Sequence, residues 1–193
     1  ASWKTALLHG DIKQAFLNGI PVDRQLYLEP PAGGLKGVEP GSLLVPRKAI
    51  YGFADAPRAF WLKLAKEAKR AGWVASRLER GLFYLFGKNG RLAGIGGPHV
   101  DDWVCTDYGT EFKCALERLK AAFSWGAWEV DDFRHCGRHV TRGSDGSVLV
   151  DQTECLANIK EVESSTRKLD VPLTDMELAG GRTALGKLGW ASK

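Results

Sequence analysis

The chain has 193 residues, 44% of them hydrophobic, and its 27 basic and 23 acidic residues give a net charge of +4. These values are ordinary for a soluble globular protein of one domain or a small pair. No apolar run approaches the ~20 residues that a membrane span needs, and no signal peptide opens the sequence, so we expect no membrane partner.

The first part of the chain reads as short strands joined by loops. Three short strands are predicted, over residues 5–8, 25–29 and 43–45. The first of them delivers Asp11 to its end, after which residues 15–19 turn away and Gly19 acts as a stop. Two prolines close the second strand. Residues 32–42 are rich in Gly and Pro and predict a loop.

The spacing of apolar residues changes to that of a helix near Ala56. Apolar residues at i, i+3, i+4 and i+7 define one helical face, made of Trp61, Leu64, Ala65 and Ala68. Pro57 suits the first helical turn, and Gly72 suits the C-terminal cap.

Two hairpins and a tight turn are predicted downstream. Asn-Gly at residues 89–90 lies between apolar segments and is a strong hairpin signal, and residues 143–146 form a second hairpin loop. Between these hairpins, a glycine-dense run over residues 94–97 leads to Asp101 and Asp102. We place both aspartates on a tight turn between two strands.

Three more helical segments complete the chain. Apolar residues from Phe112 to Phe123 predict an amphipathic helix, with Asp107 or Thr110 as its cap. Residues 152–162 predict a short helix, and a capping box at residues 174–177 opens the last one. Strands, hairpins and helices mixed in this order, without a repeat, predict the α+β class.

Charge is distributed unevenly along the sequence. Nine Lys and Arg residues against two Glu give residues 58–91 a local charge of +7, whereas residues 92–193 carry −4. A basic segment beside a carboxylate-rich one suits a protein that holds a polyanion near metal ions. A solvated helix face rich in lysine explains the same pattern, so charge by itself leaves both readings open.

Three aspartates at predicted strand ends are the sharpest chemical feature: Asp11, Asp101 and Asp102. Carboxylates are the hard oxygen ligands that Mg²⁺ requires, and two-metal phosphoryl transfer needs them to hold two ions roughly 3.5–4 Å apart. Pairs of aspartates are also common on surface turns, and a second Val-Asp-Asp occurs at residues 130–132. Only the first pair has apolar neighbours on both sides, a costly placement unless the pair binds a cation.

The cysteines and histidines offer a candidate zinc site. None of the four cysteines forms a C-x-x-C pair, which favours free thiols in a reducing compartment. His135, Cys136 and His139 are close in sequence but lack the second ligand pair that zinc sites usually have. Alternation also places His135 and Cys136 on opposite faces of a strand, so zinc is the disfavoured alternative.

An ordered series of motifs resembles the reverse transcriptase of copia-type LTR retrotransposons. Residues 11–19 (DIKQAFLNG) resemble D-x-K-x-A-F-L-N-G, residues 50–61 (IYGFADAPRAFW) resemble L-Y-G-L-K-Q-A-P-R-x-W, and residues 99–102 (HVDD) resemble the Y-V-D-D box. Residues 26–31 and the stretch from Arg182 to Trp190 resemble family segments in the same order. The series spans nearly the whole chain.

The resemblance implies a fold and a domain arrangement. It implies a palm-like antiparallel sheet with packed helices, partial fingers and a thumb. We expect the palm with partial fingers in residues 1–124 and a thumb-like or connection portion in residues 125–193. The chain would be a fragment of a Gag-Pol polyprotein whose missing fingers, integrase and RNase H portions lie elsewhere.

The resemblance also implies site residues. Asp11, Asp101 and Asp102 would be catalytic and bind Mg²⁺, with Mn²⁺ as a substitute. Phe16 would lie under the incoming sugar and exclude a 2′-hydroxyl, and the nucleotide would also contact Tyr51, Gly52 and Pro57. The residues expected to contact nucleic acid are Arg58, Lys63, Lys66, Lys69 and Arg70. Core packing is the alternative for the aromatic residues, and for Trp61 it is preferred.

The implied activity is RNA-directed DNA polymerisation. The implied partners are an RNA template with a DNA primer, or an RNA–DNA hybrid, and deoxynucleoside triphosphates, inside cytoplasmic virus-like particles. Ala54-Asp55, which stands where the family has Lys-Gln, and the missing fingers favour a second hypothesis, a catalytically inactive retrotransposon relic that at most binds nucleic acid. Gly96-Gly97-Pro98 is a further departure from the family pattern and is expected to weaken the strand before the aspartate turn. A third hypothesis is an unrelated α+β domain.

Overall fold

The computed structural model describes residues 5–159 and 172–191, which form two compact units. The first unit ends at Asp131 and the second begins at Asp132. The strands are β1 (Leu7–Ile12), β2 (Val74–Ala75), β3 (Phe83–Phe86), β4 (Leu92–His99), β5 (Asp102–Asp107), β6 (Trp125–Val130), β7 (Asp132–His135), β8 (Arg138–Arg142) and β9 (Val148–Asp151). The helices are α1 (Ala56–Ala71), α2 (Thr110–Lys120), α3 (Thr153–Ala157) and α4 (Asp175–Ala191), and a short 3₁₀ helix spans Ala15–Asn18.

The first unit is an antiparallel sheet with helices packed against it. Its strands follow the order β2-β3-β4-β5-β1-β6. Every strand pair in it is antiparallel; β2 to β5 pair in chain order, and β1 pairs with both β5 and β6. Residues of α1 and α2 share one core cluster with the inward residues of the strands. The predicted α+β class is confirmed.

Aromatic rings fill the layer between sheet and helices. Trp73 meets Trp103 and Phe112 edge to face, with ring centroids 5.5 and 5.8 Å apart. Such pairs add about 0.5–1.5 kcal/mol each beyond the burial of their area. Trp103 is fully buried, and its position on β5 fixes which face of that strand points to the core. The opposite face of β5 begins with Asp102.

Glycines in the sheet make room for these rings. A Cβ atom on Gly10 would lie 2.6 Å from the Trp128 ring, and one on Gly96 would lie 2.9 Å from Trp103. Strand β4 runs through Gly96, Gly97 and Pro98 to His99, and the weakening of this strand stays a prediction. Bulky side chains at Gly10 or Gly96 would displace the tryptophan rings that pack on the sheet.

Helix α1 confirms the predicted element and corrects its buried face. Pro57 lies in the first turn, and Gly72, at φ 106°, caps the C-terminus. The N–H of Trp73 donates to the Ala68 carbonyl, which completes a Schellman-type end. The buried aromatic of the helix is Phe60, whereas Trp61 is half-buried.

Three other expectations need correction. The strands predicted over residues 25–29 and 43–45 reduce to one isolated bridge between Leu28 and Leu44. Leu43 and Val45 are exposed, so no buried face fixes a longer register. Helix α2 is capped by Gly109, without a side-chain hydrogen bond from the predicted caps.

The second unit contains an antiparallel sheet in the order β7-β8-β9 and the helices α3 and α4. The predicted hairpin at residues 143–146 and the capping box are confirmed. The N–H of Thr174 donates to Glu177 Oε2 at 2.7 Å, and the N–H of Glu177 donates to Thr174 Oγ1 at 3.3 Å.

The helix predicted over residues 152–162 ends at Ala157 in the structure, and the last predicted residues, 160–162, lie outside the described ones. Across both described ranges, no helix is long and apolar enough to cross a membrane.

Candidate two-metal site

Strand register brings the three aspartates together. Asp11 on β1 lies directly opposite Asp102 on β5, and Asp101 occupies the turn that joins β4 to β5. The Ile12 N–H donates to the Asp101 carbonyl at 2.8 Å, which ties this turn to β1. One carboxylate oxygen from each aspartate lies within 4.8 Å of the others. The antiparallel pairing of β1 with β5 therefore brings together aspartates that lie 90 residues apart in the sequence, Asp11 and Asp101.

The turn carrying Asp101 is strained. His99 pairs with Asp102, so only Val100 and Asp101 make the connection. Val100 has φ 55°, a left-handed conformation that costs a residue with a Cβ atom about 1–2 kcal/mol. The primed turns of two-residue hairpins require such a φ, and they usually place Gly or Asn there. The strain is local to the turn that positions Asp101.

Alternation along β1 separates the aspartates from the core. Ile12 is buried in the cluster shared with the helices, and Gly10 faces the Trp128 ring. Asp11 consequently points to the other face of the sheet, where it is only partly buried. Helices α1 and α2 cover one face of the sheet, and the carboxylates lie on the opposite face.

The electrostatics of the cluster favour a cation. Burial raises the pKa of Asp11, and the neighbouring charges of Asp101 and Asp102 raise it further. Repulsion among three carboxylates is a cost to the fold that a divalent cation between them would remove.

A cleft of about 580 Å³ opens beside the aspartates. Its lining residues are Asp11, Ile12, Lys13, Gln14, Asn18, Tyr51, Asp101 and Ser124. The ring of Phe16 packs against that of Tyr51 in a tilted arrangement, with centroids 4.8 Å apart and an interplanar angle of 60°. Tyr51 thus lines the same cleft as Asp11 and Asp101, and Phe16, from a separate predicted motif, contacts Tyr51.

Gly52 and Pro57 follow Tyr51 into the start of α1. Gly52 has φ 93°, which a residue with a Cβ atom rarely adopts, and it is exposed. Pro57 is exposed in the first helical turn. This end of α1 lies beside the 3₁₀ helix that follows Asp11, because the Ile20 N–H donates to the Ala59 carbonyl at 3.2 Å.

The five basic residues of α1 are spread along the helix and away from the cleft. Among the described residues, none of the five lines the cleft. Arg58 is in the first turn, whereas Lys69 is eleven residues further, about 16 Å along the axis. Lys63 and Arg70 both bind Glu67, at 2.8 and 3.1 Å, and the hydrogen bond from Lys63 lowers the pKa of Glu67.

The second Val-Asp-Asp has structural partners. Asp131 Oδ1 accepts a hydrogen bond from the Leu7 N–H at 2.7 Å and holds the end of β6 to the start of β1. In the second unit, Asp132 contacts His139 Nε2 at 2.7 Å, and Asp151 lies 3.5 Å from the other ring nitrogen. His139 is thus engaged by carboxylates, and no described group of potential ligands combines it with His135 and Cys136.

Sequence reasoning missed two sets of residues at the site. Lys13, Gln14, Asn18 and Ser124 line the cleft, and their proximity to Asp11 in the first motif was the available signal for three of them. His9 is the buried polar residue of the described chain, and its ring nitrogens contact Asp102 and Glu129. Only the pairing of β5, β1 and β6 brings these three side chains together.

Comparisons with known proteins identify the family of the chain. The sequence model of the family described as reverse transcriptase (RNA-dependent DNA polymerase) matches residues 1–140. The chain is also similar to the retrovirus-related Pol polyproteins from transposons RE2 and RE1 of Arabidopsis thaliana. Each is 34% identical over 124 residues, which cover 64% of this chain and 8% of the relative. The chain therefore belongs to the reverse transcriptase (RNA-dependent DNA polymerase) family.

Proposed function

We propose that the first unit carries the nucleotidyl-transfer site of an RNA-directed DNA polymerase. The observation that carries this proposal is the convergence of Asp11, Asp101 and Asp102 within 4.8 Å beside an open cleft. The family match supports it, because the match includes all three residues.

The donor set fits Mg²⁺, with Mn²⁺ as a substitute. All three ligands are carboxylate oxygens, the type that a hard divalent cation prefers, and they lie on the solvent-accessible face of the sheet. Asp11 and Asp101 would hold the ions, with Asp102 beside them. When bound, two such ions lower the pKa of the primer 3′-hydroxyl and neutralise charge on the triphosphate.

The cleft has the groups that a deoxynucleoside triphosphate needs. Phe16 and Tyr51 offer two adjoining rings for the sugar and base, and we assign to Phe16 the exclusion of a 2′-hydroxyl. Lys13 is exposed at the cleft and provides a cation for phosphate oxygens. Gly52 and Pro57 shape the adjoining surface at the start of α1.

We propose that primed template approaches from the Arg58 end of α1. Arg58 is exposed in the first turn, beside the segment that follows Asp11. Lys66, Lys69 and Arg70 continue this charge along the outer surface of the helix. An RNA template with a DNA primer, the remaining polyprotein portions and a cytoplasmic virus-like particle stay predictions from kinship.

The relic hypothesis loses part of its support. Asp55 replaces a neutral family residue, yet its carboxylate accepts a hydrogen bond from Arg24 at 2.9 Å. The same guanidinium lies 5.7 Å from the centroid of the Phe53 ring. The extra anion is therefore paired locally and does not stand as an isolated charge near the cleft.

Primer extension tests the proposal. The purified chain, joined to a fingers segment from a related element, is given a primed RNA template, deoxynucleotides and Mg²⁺. Asp101→Asn should abolish extension, whereas Asp132→Asn, a change in the other Val-Asp-Asp, should retain it. Equal extension by the unchanged chain and Asp101→Asn would refute the proposed site. Salt-sensitive binding of a hybrid without extension would favour the relic.

A further inference from the structure

The ring of His9 is buried between two carboxylates on neighbouring strands. Its exposed fraction is 5%. Nε2 lies 3.1 Å from Asp102 Oδ1, and Nδ1 lies 3.0 Å from Glu129 Oε2. A ring nitrogen that carries a proton donates to the carboxylate that it faces, and the tautomer decides which nitrogen carries it.

Strand register fixes this arrangement. His9 precedes Asp11 by two residues on β1, so both side chains lie on the face of the sheet opposite α1 and α2. Glu129 is the direct partner of His9 on β6, and Asp102 is the direct partner of Asp11 on β5. The three side chains form a line across three adjacent strands, and the line ends on a carboxylate of the proposed metal site.

We propose that His9 is a positioning residue for Asp102, and that Glu129 in turn orients His9. This inference rests on the proposed function. The Asp102 carboxylate lies among like charges that repel it, and a donor held at one of its oxygens restricts its rotation. Donors of this kind around metal-binding carboxylates commonly change metal affinity by 10–100-fold when they are removed.

A purely structural role is the competing explanation. The contact with Glu129 joins β1 to β6, and that contact by itself would account for a buried histidine. The two roles use different ring nitrogens, so two amide substitutions separate them. In His9→Gln the side-chain amide nitrogen reaches the position of Nε2 and faces Asp102. In His9→Asn it reaches the position of Nδ1 and faces Glu129.

The experiment titrates Mn²⁺ into the full chain and follows free ion by electron paramagnetic resonance, with thermal unfolding as the check on folding. His9→Ala and His9→Asn should weaken Mn²⁺ binding about 10-fold or more, and His9→Gln should bind within about threefold of the unchanged chain. Rescue by Gln and not by Asn is the signature of action through Asp102.

Other results overturn the inference. If all three variants bind Mn²⁺ as the unchanged chain does, His9 does not position Asp102. The same conclusion follows if His9→Asn keeps Mn²⁺ binding and His9→Gln loses it. Asp101→Asn separates this failure from that of the proposed function. If Asp101→Asn loses Mn²⁺ and the His9 variants do not, only the present inference fails. If Asp101→Asn binds as the unchanged chain does, the metal site itself fails, and the positioning role fails with it.

Discussion

Asp11→Asn should stabilise the metal-free fold while it removes metal binding. Asp11 is partly buried, and its carboxylate lies within 4.8 Å of those of Asp101 and Asp102. Two unit charges 4 Å apart repel by ~1 kcal/mol in water and by ~4 kcal/mol near a protein surface. With two neighbours and screening by solvent, we expect the substitution to raise the free energy of unfolding by about 1–2 kcal/mol.

Thermal unfolding measures this change. A gain of that size corresponds to a rise in Tm of about 3–6 °C for a unit of this length. The folded-state pKa of Asp11 is raised above its ordinary value of 3.8. The contribution of the Asp11 carboxyl to the free energy of unfolding is therefore fully present below pH 3.8 and is lost as the pH rises through the raised pKa. The advantage of Asn should be largest at pH 7 and shrink towards pH 4.

Mg²⁺ should reverse the order of stability, so that the unchanged chain becomes more stable than Asp11→Asn. Saturating cation stabilises the unchanged chain by about 2.7 kcal/mol at 100 times Kd, and it should act much less on Asp11→Asn. Asp131→Asn is the matched control, because Asp131 accepts a backbone hydrogen bond and lies outside the cluster. An equal or lower Tm for Asp11→Asn at pH 7, or a gain that grows as the pH falls, would refute the electrostatic reasoning.

Three further predictions concern the turn, the sheet and the second unit. Val100→Gly should stabilise the first unit by about 1 kcal/mol in denaturant unfolding, because φ 55° is strained for valine; a loss of stability would contradict this. Gly10→Val should destabilise it by about 1–3 kcal/mol, since its Cβ would meet the Trp128 ring, and an unchanged midpoint would show that the ring moves freely. The hydrogen bond with Asp132 raises the pKa of His139, so the stability from this contact is present at low pH and is lost as the pH rises through that pKa. An NMR titration of the ring should show the pKa falling in Asp132→Asn, and an unchanged titration would exclude the contact.

Local sequence signals predicted the elements whose cause is local. Pro57 and Gly72 bracket α1, Asn-Gly at residues 89–90 marks a hairpin, and Thr174 with Glu177 opens α4, because caps and turns depend on residues within one turn of each other. The same signals failed at residues 25–29 and 43–45. Alternation there has no buried face to fix it, so only one bridge forms.

The sequence by itself determined that Asp11, Asp101 and Asp102 lie at the ends of predicted strands. It also determined that all three belong to motifs that resemble one family. Only the tertiary structure decided that Asp11 faces Asp102 in register, that the aspartates lie on the face opposite α1 and α2, and that His9 reaches Asp102. The physical reason is that pairing between strands far apart in sequence depends on the packing of the aromatic core. Trp103 and the Trp128 ring over Gly10 set that register, and no short stretch of residues encodes it.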